Sequence, residues 1–263
     1  MVTDADGFPT SDFIKRGHHV KVSGEGSKTI VKNDILMGIW QQGAENGCIP
    51  SMINYAYNIG QPHLELPFLL EGAIRGHPFA VSLLLNRCYE NSEMPCQLSS
   101  LCMYWNKMVK NWVGIEEERY VEFLEGAKEW KNYLYNICNI CGEQESDLVT
   151  LKTCNGCKLT FYCSKECQTI HWEEGTHKNE CNRLKILMKY HEPYANKIRE
   201  QIMRGDDPKF IIPLQKLRNK LGLTRPRMEY EEYLDKKNLD DPRALLFPRN
   251  NGTVYVGSWT EMM

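Results

Sequence analysis

Apolar positions recur every three to four residues along the first half of the chain, in runs that predict helices over Asn33–Glu45, Pro50–Ile59, Leu64–Arg75, Pro78–Tyr89 and Leu98–Asn111. Gly- and Pro-bearing breaks such as Gly60-Gln61-Pro62 separate them. The same period returns at Tyr120, Phe123, Leu124, Ala127, Trp130 and Leu134, with Glu122, Glu125 and Glu129 opposite, and this helix leads directly into Cys138. Further on, Phe210, Leu214, Leu217 and Leu221 form an apolar helical stripe that Gly222 ends. The pattern changes only at the C-terminus. There Leu245-Leu246-Phe247 and Thr253-Val254-Tyr255-Val256 flank Asn250-Asn251-Gly252 and read as a short β-hairpin.

A weak internal repeat underlies the first helices. Ala44-Glu45-Asn46-Gly47-Cys48-Ile49-Pro50-Ser51 returns as Ala73-Ile74-Arg75-Gly76-His77-Pro78-Phe79-Ala80, a spacing of 73 − 44 = 29 residues, and Met108 to Asn111 reads as a degraded third copy. In each copy a Gly ends one helix, and a small residue, Ser51 or Ala80, is placed where the next pair crosses. The pattern resembles Sel-one-like α/α repeats and implies a short helical stack; an irregular helical domain is the alternative. The chain divides accordingly into an N-terminal tail (1–32), a helical repeat-like region (33–136), a cysteine-rich segment (138–181) and a helical C-terminal region with the hairpin (182–263).

The cysteine-rich segment carries the chemistry. Its candidate ligands run Cys138-x2-Cys141, Cys154-x2-Cys157, Cys163-x3-Cys167 and His177-x3-Cys181. A CxxC turn offers two thiolates from one tight loop, and residues four apart on a helix project from one face, so four such pairs supply two tetrahedral zinc sites. Eight protein ligands leave neither ion an open position, which makes both sites structural. Residues 138–181 are 44 in number, too few to bury a sufficient core. Zinc is therefore expected to supply most of the folding energy of this segment, on the order of 10 kcal/mol or more per ion. Loss of Cys157 or His177 is expected to unfold the segment and spare the first hundred residues, unless the segment is an integral layer of one domain.

The run Tyr162-Cys163-Ser164, Cys167-Gln168, Trp172, His177-Lys178 and Cys181 resembles a MYND-type zinc finger over 138–181. The resemblance implies interleaved sites, the first zinc on Cys138, Cys141, Cys163 and Cys167 and the second on Cys154, Cys157, His177 and Cys181. It also implies a module that binds other proteins through short proline-containing peptides, with Gln168 and Trp172 on the binding surface and Phe161 and Tyr162 on a strand that a peptide augments. Trp172 is either an exposed anchor or part of the finger's own core. One departure is visible: Glu173-Glu174-Gly175-Thr176 puts four residues between the tryptophan and the histidine where the family usually has two. His171 is a ninth candidate ligand, read as a packing or surface histidine.

Composition narrows the remaining classes. The formal charge of −2 argues against bulk affinity for nucleic acid. Residues 182–227 are locally basic, with twelve Lys or Arg against four acids for a surplus of +8, and read as the wet face of the Leu214 stripe or, as the alternative, as a nucleic-acid or acidic-partner surface of a transcriptional regulator. No apolar run is long enough to span a membrane and no secretory leader is evident, so a cytoplasmic or nuclear setting is expected. Cys48, Cys88, Cys96 and Cys102 read as buried free thiols. A RING arrangement does not fit the ligand order. Some SET-domain methyltransferases carry a MYND finger, yet the Asn-His-x-Cys-type motif they need is absent from the 263 − 181 = 82 residues after Cys181. The expected fold is mainly α: an α/α stack, a cross-braced two-zinc finger and a helical tail with a hairpin, acting as a non-catalytic adaptor.

Overall fold

Both copies of the Ala…Gly repeat end a helix by the same device. Gly47 and Gly76 each adopt φ +86°, a left-handed conformation that glycine enters without steric cost. The turn around Gly47 closes through Cys48 N–H to Gly43 O and Gly47 N–H to Ala44 O, both 3.0 Å; that around Gly76 uses His77 N–H to Gly72 O (3.1 Å) and Gly76 N–H to Ala73 O (2.9 Å). This is the paired bonding that stops a helix at an αL residue. Arg75 joins the two turns by donating from Nη1 to Gly47 O at 2.9 Å.

A computed structural model describes residues 3–4, 6–12, 14, 26–60, 62–89, 99–110, 135–174, 177–224, 245–248 and 254–257. Its helices are α1 (Gly26–Glu45), α2 (Ile49–Ile59), α3 (Pro62–Ile74), α4 (Pro78–Tyr89), α5 (Ser99–Lys110), α6 (Lys165–Glu173), α7 (His177–Tyr190), α8 (Ala195–Met203) and α9 (Ile212–Lys220). Two antiparallel strand pairs complete it. β1 (Lys152–Thr153) pairs with β2 (Phe161–Tyr162), and β3 (Leu245–Pro248) pairs with β4 (Val254–Gly257) in the register Leu246↔Val256. Helices α1 to α4 stack pairwise in sequence, and β3 lies beside α7. Ser51 and Ala80 are fully buried, as their place at the helix crossings requires. The helix expected over 120–134 and the third repeat's end at Asn111 lie outside the described residues. Among the described residues no helix is long and apolar enough to cross a membrane.

One hydrophobic cluster runs through the stack, the cysteine-rich segment and the C-terminal helices: Leu69, Ile74, Leu85 and Trp105 meet Cys157, Tyr162 and Cys181, then Leu184, Leu187, Ile198, Leu214 and Leu217. Helix α7 joins these parts. His177 and Cys181 occupy its first turns, and Leu184, Leu187 and the following His191 continue the same buried face. The boundary expected between 181 and 182 thus falls inside a helix.

Two expectations need correction. Residues 1–32 were expected as a tail, yet Phe8 is fully buried in the main cluster and α1 starts at Gly26. Asp4 builds the turn that aims Phe8 inward, its Oδ1 accepting from the N–H groups of Asp6 (3.0 Å) and Phe8 (2.8 Å), while the Arg199 guanidinium lies 5.6 Å from the Phe8 ring. Phe210 does not head the α9 stripe. It sits in a 3₁₀ turn, Pro208–Phe210, 81% exposed, because Pro213 in the first turn sets the start of α9 at Ile212, two residues later, and Ile211 enters the core instead.

Candidate metal centre

Each ligand pair is presented by local structure that the sequence specifies. Gly142, at φ +75°, closes the Cys138–Cys141 knuckle, its N–H donating to Cys138 O at 3.0 Å. Cys163 and Cys167 are ordered by Ser164, the N-cap of α6, whose hydroxyl accepts from Cys167 N–H at 3.2 Å. In the Cys154–Cys157 knuckle the Lys158 N–H bonds Cys154 O at 2.9 Å, and the Gly156 N–H points at Cys154 Sγ at 3.4 Å. Gly156 faces the metal position itself: a Cβ there would lie 2.6 Å from Cys181 Sγ. His177 and Cys181 come from adjacent turns of α7.

The four pairs interleave. Cys138, Cys141, Cys163 and Cys167 converge on one point and Cys154, Cys157, His177 and Cys181 on another, the donor atoms of each set lying within 4.8 Å of one another. Zinc–sulfur bonds of about 2.3 Å in a tetrahedron place sulfurs about 3.8 Å apart. The observed sulfur separations bracket that value, 3.4 Å for Cys141–Cys163, 3.7 Å for Cys163–Cys167 and 4.0 Å for Cys154–Cys181, and Cys157 Sγ lies 3.8 Å from His177 Nε2, near the about 3.6 Å that the shorter zinc–nitrogen bond gives. One donor set is four thiols and the other is three thiols with an imidazole, and both therefore fit structural zinc ions.

The thiols of each set hold their protons unequally. Burial pushes the Cys138 thiol up, but hydrogen bonds from the Cys141, Cys163 and Ile140 amides overcome it and bring it down to about 7. Its neighbour Cys163 is pushed up to about 12, chiefly through its contact with Cys141. In the second set Cys154 is driven down by hydrogen bonds from Cys157 and Cys181, and Cys181 is driven up by the same contacts with Cys154 and Cys157. Zinc needs all of them as thiolates, so binding releases protons.

The residues around the second set are aromatic. His171 is buried, hydrogen-bonded through Nδ1 to Tyr162 Oη at 3.0 Å, and stacked 5.0 Å from His177. It is a packing histidine outside both donor sets, its pKa lowered to about 4 by burial. Trp172 is half-buried against the main cluster and meets the His177 ring edge-on at 6.0 Å. Gln168, one turn earlier on α6, is half-exposed, and Phe161 is half-exposed against Tyr135 at 5.2 Å. Tyr162 is buried. The backbone of Phe161 is already used: its N–H donates to Asn139 Oδ1 at 2.8 Å and its carbonyl accepts from Asn139 N–H at 2.9 Å. The outer edge of β2 is thus covered by Asn139, whereas Lys152–Thr153 of β1 is exposed. Gly175 and Thr176, which lengthen the loop before His177, lie outside the described residues.

The sequence missed three contributors: Asn139, Thr160 and Glu180, all buried around the ligands. Polar residues between ligands are ordinary in a finger, and nothing in their spacing marks them.

The family model for the MYND finger matches residues 138–181. A SET and MYND domain-containing protein of Dictyostelium discoideum is 43% identical over 54 residues, which is 19% of this chain and 10% of that protein. The chain thus spans about a tenth of the relative's length. No solved structure matches the chain. The matched span, the ligand order and the two interleaved donor sets agree with one another. Residues 138–181 are a MYND zinc finger, a non-catalytic protein–protein interaction module, here built into a helical chain.

Proposed function

We propose that the chain is a non-catalytic adaptor whose finger reads short proline-containing peptides laid along α6. The observation that carries this reading is the saturation of both donor sets by protein ligands, which leaves zinc to shape a surface and not to activate a substrate. Gln168 and Trp172, four apart on α6, share one face and supply a hydrogen-bonding amide beside a partly exposed indole. Phe161 flanks them, and buried Tyr162 supports them from below through His171. The exposed Thr153 edge of β1 offers a backbone for a peptide to pair with.

The test is a titration of the full chain with a library of proline-containing peptides, alongside Trp172→Ala and Gln168→Ala, with two zinc ions verified in each. Binding lost in both variants at full zinc occupancy supports the reading. Binding unchanged in both overturns it and moves recognition to the helical stack.

A nucleic-acid contact through 182–227 is disfavoured by the chain's formal charge of −2 and because four of the segment's twelve cations meet groups of the chain itself. Arg218 Nε donates to Glu71 Oε2 at 2.9 Å, Arg199 lies over Phe8, and Lys189 and Lys220 lie over the Tyr190 ring at 5.3 and 5.6 Å. The relative's name raises a methyltransferase link. Saturable binding of a methyl donor by this chain would establish it, and none is expected from α7 to α9 and their missing motif.

A further inference from the structure

Between His177 and Cys181 lies Glu180, an acid that is only 1% exposed. Such burial is costly unless the charge is met by donors on every side. Its Oε1 accepts from the N–H groups of Ser100 and Leu101, both at 3.0 Å, and these are orphan donors of the first turn of α5. Its Oε2 lies 3.3 Å from His177 Nδ1. Thr160 Oγ1 reaches the same Nδ1 at 3.3 Å, lies 3.4 Å from Cys157 Sγ and shares a short hydrogen bond with the Ser100 hydroxyl. His177 Nε2 is the atom that faces the thiolates. Nδ1 must then carry the proton and donate outward, as a ligating histidine does to a carboxylate that fixes its tautomer and raises its basicity.

We propose that Glu180 is the outer-sphere carboxylate of the histidine-bearing zinc site, and that through it the N-terminus of α5 and the zinc ion stabilise one another across the boundary between helical stack and finger. The charge is shared in one line: amide dipoles of α5, carboxylate, imidazole, metal. The all-cysteine site has no counterpart among the described residues. Coupling of this kind is reciprocal, so weakening the α5 end weakens the metal and the reverse.

The experiment uses the full chain loaded with cobalt(II), whose visible bands distinguish a site of three thiolates and an imidazole from one of four thiolates, titrated against a chelator. Glu180→Gln keeps the shape and removes the charge; it is expected to lower cobalt affinity at the histidine-bearing site by about 10–100-fold and leave the all-cysteine site unchanged. Ser100→Pro removes from the α5 side both the backbone donor to Glu180 and the hydroxyl bonded to Thr160, at a first-turn position where proline is tolerated; Ser100→Ala, which removes the hydroxyl alone, is its control, and the pair stands in if Glu180→Gln does not fold. The proline variant is expected to weaken the same site several-fold although it touches no ligand. Unchanged cobalt affinity in a folded variant of either kind, even with a lowered melting temperature, overturns the proposal and makes Glu180 a helix cap only.

Discussion

The two zinc sites of this finger hold the same number of ligands and occupy opposite situations. At the all-cysteine site only Cys138 is buried; Cys141 is exposed and Cys163 and Cys167 are half-buried, beside the exposed loop 141–148. At the histidine-bearing site all four ligands are buried, three of them in the cluster that also holds Leu69, Trp105, Leu187 and Leu217. The worth of a structural zinc to a fold therefore depends on what is packed behind its ligands. One ion closes a peripheral loop. The other stands where a core residue would stand, with helices of the stack on one side and C-terminal helices on the other.

The largest expected effect follows from that placement. Cys181→Ser or His177→Ala should release one zinc and unfold much more than the finger, because α7 carries both the ligands and Leu184 and Leu187. A site worth on the order of 10 kcal/mol is comparable to the whole stability of a domain. Circular dichroism at constant zinc should show loss of most helical signal. A variant that lost its zinc and kept the signal of α1 to α5 would instead make the finger a separable module, as the ligand spacing alone suggests.

Next in size is a test at the other end of α7. His191 is fully buried, accepts from the Tyr104 hydroxyl at Nδ1 (2.6 Å) and donates from Nε2 to Ile74 O (3.2 Å). Burial holds its pKa down to about 4 from 6.5, against the opposing pull of the Ile74 carbonyl. The unfolded chain then binds a proton between pH 6.5 and 4 that the native protein refuses. Stability is full above the unfolded pKa and falls as pH drops through this window, by about 3 kcal/mol at about 1.36 kcal/mol per unit. His191→Gln should flatten that limb of the melting-temperature profile relative to the parent, measured with zinc in excess; an unchanged profile would detach α7 from the acid response.

Much of this was legible beforehand, for physical reasons. Ligand spacing is dictated by zinc geometry, and helix period and αL glycines are local properties, so the eight ligands and α2 to α5 could be read within a residue or two. What escaped depends on distant partners. Phe8 stands alone in a Gly/Pro/Asp segment with no period to betray its burial, and it is buried because Asp4 turns it toward Arg199 and His77. The run of α7 past Cys181 was hidden because the motif stops at its last ligand while the helix does not. The basic surplus of 182–227 reads as a free surface until Glu71 is placed beside Arg218. Glu180 resembles any acid on a helix until α5 is placed over it.

A smaller effect is expected inside the second site. Gly156→Ala puts a methyl group 2.6 Å from Cys181 Sγ; the nearby end of Lys185, at 3.1 Å, can swing away, but the sulfur is fixed by its place in the donor set. Overpacking of this kind costs about 1–3 kcal/mol. The cost should appear as weaker zinc binding at the histidine-bearing site together with a lower melting temperature, since metal and core share that space. Native zinc affinity in this variant would mean that the knuckle relaxes away from the core, and that the space behind this ion is less tightly filled than the burial of its ligands implies.

The smallest global effect belongs to the all-cysteine site. Cys141→Ser removes an exposed ligand and should release one zinc of two while the helical signal and the cooperative unfolding of the stack stay near the parent, within a few degrees. Exposure points the same way: three of the four ligands of this site are reached by solvent while those of the other are all buried, so this site should also be the first to empty as protons compete for its thiolates at falling pH. Metal counting during a slow acid titration resolves the order. Loss of one equivalent before any loss of helix is the expected result, and simultaneous loss of both ions with the helices would mean that the peripheral site, too, is part of the core.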